Sequence, residues 1–166
     1  MTKEYFTGNR ERLYGQMKQN SLLVMFSGRE LRKTNDEYYP FYTERNFLYL
    51  TGINAKEAVL LVRKDGEGDV KERLYILPPD LLAERWTGER IKEKQARELS
   101  GIEEIAFVET FRKDFDVLAA SGNYGHLYLD LYKADSADQD RAAHFFRKMV
   151  SAAHPVAEVT DHQTAL

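Results

Sequence analysis

Apolar positions along the chain fall into stripes and short runs that predict helices and strands in alternation. Residues 5–18 carry Phe6, Leu13, Tyr14 and Met17 at helical spacing, which predicts a first helix. Residues 22–26 form a continuous apolar run closed by Ser27-Gly28, the pattern of a strand covered on both faces. No clear period follows over 29–46. Segments 47–50 and 58–63 read as strands, and the turn chemistry of 65–69 joins the second to a strand over 73–77, making a hairpin. Pro78-Pro79 ends it, because proline donates nothing to a strand ladder.

The second half alternates more plainly. Residues 88–99 read as a charged helix with opposite-sign pairs at spacing four, stopped by Gly101. A short strand is predicted at 105–108. Thr110 is the expected cap of a helix with Phe111, Phe115, Leu118 and Ala119 on one face, ending at Gly122. His126 opens an alternating strand to 131 with two unequal faces. Ser136 and Gln139 form a capping box before a helix striped by Ala142, Phe145, Phe146, Met149 and Ala153. A last strand is expected at 156–159. This order predicts one α/β domain over 1–166, a mixed sheet with helices on both faces.

Composition narrows the chemistry. At 166 residues and 43% hydrophobic, the chain is long enough to bury roughly 70% of its unfolded surface without staples. The absence of Cys excludes disulfides, thiolate metal sites and a cysteine nucleophile. A net charge of −3 gives no reason to expect nucleic acid or an anionic membrane as partner. No apolar signal region opens the chain, and a cytoplasmic location is the expectation.

Familiar catalytic patterns fail one after another. Ser27 lacks the first Gly of a nucleophile elbow, and no phosphate-binding Gly-rich loop follows a predicted strand. Asp65, Glu67 and Asp69 imitate the opening of a calcium loop. However, Val70 stands at its sixth position and Ile76 at its twelfth, so a hairpin turn is the better reading. His126, His144, His154 and His162 contain no metal-ligand pair, and Asp130 has no companion carboxylates for two-metal chemistry. No catalytic and no metal-ligating residue is assigned.

One window departs from background. Six aromatics occur in the 12 residues from Tyr38 to Tyr49, where the chain average of 12% would place about 1.4. Arg32, Asp36, Glu44, Arg45 and Asn46 interleave with them, as in a surface that closes over a ligand, or in a loop packed on its own core. Here the residues carry a resemblance. Asn35-Asp36-x-Tyr38-Tyr39-Pro40-Phe41, then Asn46-Phe47-Leu48-Tyr49-Leu50-Thr51-Gly52, resembles the aminopeptidase P N-terminal domain of the creatinase/prolidase family. The likeness continues through Glu57 to Val62 and returns at Asp80-x-x-x-Glu84-x-Trp86-x-Gly88-x-Arg90. The opening, Phe6-x-x-x-Arg10-x-x-Leu13-x-x-x-Met17, fits as well.

That resemblance implies a ribonuclease H-like mixed sheet and a non-catalytic domain. In such enzymes a separate C-terminal pita-bread domain, which this chain does not include, binds two divalent metals, commonly Mn2+. The parent metallopeptidase would remove the N-terminal residue from peptides with proline second, and the isolated chain would be inactive. Asp36 and Trp86 match family positions that face an active site, often a neighbouring subunit's. Tyr39 and Arg45 join them as candidate substrate-binding residues. Expected partners are the chain's own catalytic domain, further copies in a homo-oligomer and a proline-containing peptide. A prolidase-type dipeptidase domain and a non-enzymatic peptide-binding module are the alternatives. Two departures bear on specificity: Tyr42-Thr43 replaces the usual Arg-Gln, and Lys56-Glu57 replaces Glu-Pro.

Overall fold

The computed structural model describes residues 2–132, 141–153 and 158–161. Helix α1 (Lys3–Gln16) leads into β1 (Ser21–Phe26), followed by α2 (Arg45–Thr51) and the hairpin β2 (Val59–Lys64) and β3 (Val70–Ile76). Then come α3 (Leu81–Thr87), α4 (Glu93–Ser100), β4 (Glu104–Phe107), α5 (Val108–Ala120), β5 (His126–Leu129), α6 (Ala142–Ala153) and β6 (Glu158–Asp161). The strands form one six-stranded sheet in the order β4-β3-β2-β1-β5-β6. Only β2 runs against the others. Among the described residues, no helix is long and apolar enough to cross a membrane.

Alternation along the central strands divides the core. Leu23, Met25, Leu60, Val62, Leu74 and Ile76 face α1, α2 and α4. Leu22, Val24, Val59, Leu61 and Tyr75 face α5 and α6, where Phe111, Phe115 and Phe146 stack edge-on and tilted. Helices thus cover both faces, as the sequence pattern predicts. The 65–69 turn is also as expected: Asp65 Oδ1 accepts the backbone N–H groups of Glu67, Gly68 and Asp69.

Several local expectations are corrected. Segment 47–50 is not a strand but the body of α2, because Phe47, Leu50 and Thr51 point inward at spacings of three and four. Gly52 ends that helix in the left-handed conformation, φ 71°. The charged helix begins at Glu93, not 88, since Gly88 closes the separate α3. Thr110 lies inside α5, its hydroxyl donating to the Phe107 carbonyl, and the N-cap is Phe107. Strand β5 ends at Leu129 rather than 131, and both its faces are covered, with Leu127, Tyr128 and Leu129 all buried. On α6 the inward stripe is Ala143, Phe146 and Val150, whereas Phe145 and Met149 are exposed. The Ser136 capping box, His154 and His162 lie outside the described residues.

Helix α1 carries an internal polar node. Arg10 is 1% exposed and binds both carboxylate oxygens of Glu72, at 2.8 and 3.0 Å. Its Nη1 also donates to the carbonyls of Leu50 and Ser100, at 2.8 and 2.9 Å. Those oxygens sit at the C-terminal ends of α2 and α4, where carbonyls lack helical partners and attract positive charge. The Tyr14 hydroxyl donates to the same Glu72, and Asn9 donates to the Tyr49 carbonyl. Burial, reinforced by the Glu72 carboxylate, holds the Tyr14 phenol well above its ordinary pKa. One side chain therefore ties α1 to β3, α2 and α4.

Candidate functional site

The common direction of five strands gathers the connecting loops at one edge of the sheet. Segments 27–44, 77–92 and 130–132 leave the C-terminal ends of β1, β3 and β5, the edge where α/β sheets usually hold ligands. The edge is anchored from inside. Ser27 is fully buried, its N–H donating to the Ala58 carbonyl and its Oγ accepting the Ala58 N–H. It is thus a fixed structural serine.

Loop 27–44 has its own framework. Arg32 and Tyr38 form an isolated antiparallel bridge, and the Lys33 and Thr34 N–H groups donate to the Glu37 carbonyl. The Arg32 guanidinium lies 5.5 Å from the Tyr38 ring centroid and donates to its hydroxyl. Asp36 is at the exposed tip of this small hairpin. Tyr39, 53% exposed, follows on the return arm, and Arg45 is the exposed first residue of α2.

Helix α3 presents the fourth candidate. Asp80 caps it, Oδ1 accepting from Leu82 and Ala83, while Glu84 Oε1 accepts the Asp80 N–H. These N–H groups, Ala83's foremost, and the nearby Arg90 hold the Asp80 carboxyl below its ordinary pKa. No residue of α3 is buried. Trp86 is 85% exposed, beside Leu81 and Leu82 at 80% and 72%, so core packing does not account for this tryptophan. Two cavities of about 270 Å³ each lie at the edge, with Phe41 lining both. One opens toward Gly88 and Arg90, the other toward Tyr39, Tyr42 and Arg141. Asp36, Tyr39, Arg45 and Trp86 lie on segments at this edge, and no hydrogen bond or ion pair joins any two of them.

Behind the loops sits a polar cluster that the sequence pattern did not bring together. Asp130, buried just after β5, accepts from Asn46 Nδ2 at 2.9 Å and lies 3.8 Å from Arg141. Arg141 binds Glu44 at 3.0 Å. His144 accepts the Arg141 N–H through Nδ1, and its Nε2 donates to the Leu131 carbonyl. Both carboxylates are thus engaged by protein groups. Among the described residues no group of three or more His, Asp or Glu could hold a metal. Among the described residues, the side chains do not fit the divalent ions implied by the family likeness.

Burial, with Asp130 adding to it against the pull of Arg141, raises the Glu44 pKa. The folded state then binds more protons than the unfolded chain between the ordinary glutamate value and the raised one, so stability falls as pH rises through that window. Glu44→Gln is expected to flatten this fall, and thermal melts from about pH 4.5 to 7 test it. An unchanged slope would remove Glu44 as its source.

The fold and this edge define the class. Residues 6–128 match the aminopeptidase P N-terminal domain, and the chain belongs to that family. It is 37% identical over 111 residues to a Xaa-Pro aminopeptidase of Haemophilus influenzae, covering 67% of this chain and 26% of that protein. It is 30% identical over 119 residues to the Xaa-Pro aminopeptidase of Escherichia coli, covering 71% of this chain and 27% of the relative. A structure assigned to aminopeptidase P from Bacillus anthracis superimposes with a TM-score of 0.92 at 29% identity, over 97% of this chain and 38% of that one. The ribonuclease H-like α/β sheet anticipated from the motifs is the observed fold. The chain spans about a quarter of the length of the curated relatives it matches.

Proposed function

We propose that residues 1–166 are the non-catalytic N-terminal domain of a metal-dependent Xaa-Pro aminopeptidase. Its role is to shape the entrance to an active site and to support assembly of the enzyme. The catalytic pita-bread domain, with two divalent metals such as Mn2+, supplies the hydrolysis. The full-length enzyme removes the first residue from peptides whose second residue is proline.

The observation that carries this reading is α3, a capped helix with Leu81, Leu82 and Trp86 all facing outward. A domain that spends three large apolar side chains outside its core has a use for them at an interface. Asp36 on its ordered hairpin tip, Tyr39 and Arg45 offer charge and ring surface along the same edge.

The test uses the full-length protein with Mn2+. Trp86→Ala is expected to lower kcat/KM on an Xaa-Pro tripeptide by about tenfold or more. Its effect on the stability of the 166-residue chain should stay within about 0.5 kcal/mol, because the ring is outside the core. Unchanged kinetics would overturn the entrance role. Affinity for the peptide without turnover by the wild type would replace it with a binding module. Cleavage confined to dipeptides in a length series would point to a dipeptidase instead. A Leu81→Glu/Leu82→Glu variant is expected to sediment as a smaller species, and an unaltered mass would overturn the assembly role.

A further inference from the structure

A separate cavity of about 190 Å³ lies on the other helical layer, between α5 and strands β2 to β4. Its wall is apolar, made by Leu61, Val117 and Leu118. Its rim is cationic. Arg63 and Lys71 stand directly opposite each other on β2 and β3, like charges in an arrangement that repels across a sheet. Arg73, half-buried at the same rim, is matched with Glu104 and Asp114, whereas Arg63 is half-buried and Lys71 exposed. Arg63 and Lys71 have no such carboxylate among the described residues.

The charge count limits what would fit. Arg63, Lys71 and Arg73 against Glu104 and Asp114 leave one net positive charge at the cavity. Glu72 does not alter the sum, since its carboxylate is bound to Arg10 on the opposite face of the sheet. Tyr75 contributes no free donor, because its hydroxyl already donates to Asp114. A monoanion is therefore matched, and a dianion is not. The volume is below the range of about 300–1,000 Å³ usual for drug-sized ligands, which restricts the body to a few carbons.

We propose that this cavity binds a small monocarboxylate with a branched apolar body, its carboxylate between Arg63 and Lys71 and its alkyl group against Val117 and Leu118. Either a free short-chain acid or the C-terminal leucine of a peptide supplies that chemistry.

Amide NMR of the 166-residue chain, titrated with 4-methylpentanoate, tests the assignment. Saturable shifts are expected at the amides of Lys71, Val117 and Leu118. Arg63→Gln/Lys71→Gln is expected to weaken binding at least tenfold with a native spectrum, and Arg63→Lys/Lys71→Arg to restore most of it. Neutral 4-methylpentanamide should not bind. Acetyl-Gly-Leu shifting the same amides, with its C-terminal amide inert, would identify a peptide C-terminus as the source. Binding of the peptide acid weaker than the free acid would identify the free acid. Equal binding of acid and amide, equal effects of inorganic phosphate, or undiminished binding by the Gln variant would each overturn the proposal.

Discussion

Arg10→Met is expected to destabilise the domain by about 3–5 kcal/mol, the usual consequence of breaking a buried ion pair from one side. The loss is not that of a single contact. Removing the guanidinium leaves Glu72, whose side chain is only 24% exposed, with Tyr14 as its remaining partner in the node. It also strips the Leu50 and Ser100 carbonyls of a charged donor at two helix ends. Arg10→Met/Glu72→Met is expected to recover part of the loss, because it removes the stranded carboxylate as well. Urea denaturation of the three proteins measures both effects. A loss below about 1 kcal/mol in Arg10→Met would mean the pair behaves as an exposed one and would discard this account.

Gly52→Ala is the second change with a large expected effect, a loss of about 2–5 kcal/mol from two additive causes. At φ 71° an alanine adopts the left-handed conformation at a disadvantage of about 1 kcal/mol or more. Its Cβ would also collide with the buried Phe6 ring, whose nearest carbon would be 2.4 Å away, and an overpacked core typically loses about 1–3 kcal/mol. Phe6→Leu/Gly52→Ala separates the two. The double variant should lose less than the sum of its parts, since the smaller side chain relieves the collision but not the backbone strain. Strict additivity would show that the ring yields freely and that only the backbone matters.

The sequence made some elements legible and hid others for identifiable reasons. The 22–26 run and the hairpin around Asp65 were readable because a strand covered on both faces is uniformly apolar and its turn residues are chemically distinctive. Helix α2 was hidden by its brevity: Phe47, Leu48, Tyr49 and Leu50 suit a strand, and only Gly52 signalled a helical stop. Helix α3 has no inward stripe, so periodicity was silent, although Asp80 followed by Glu84 carried a cap signal. On α6 the apolar arc is wide, and sequence does not say which half meets the sheet.

The candidate site drew on two signals in the sequence. The aromatic cluster drew attention to loop 27–44, and the motif likeness brought in Trp86. The exposure of Leu81 and Leu82 was invisible because it depends on what packs against α3, not on the side chains themselves. Asn9 and Arg10 offered an unused clue. They interrupt the apolar stripe of α1 at inward positions, where a polar side chain must find buried partners.

The Arg10 node also bears on the order in which the chain can fold as it is synthesised. Helix α1 is made first, yet its guanidinium waits for an oxygen 90 positions later, on Ser100. At translation rates of about 5–20 residues per second, that interval is roughly 5–18 seconds. During it the nascent helix can form but cannot lock. The full Arg10 node can be completed only after β3 and α4 have left the ribosome.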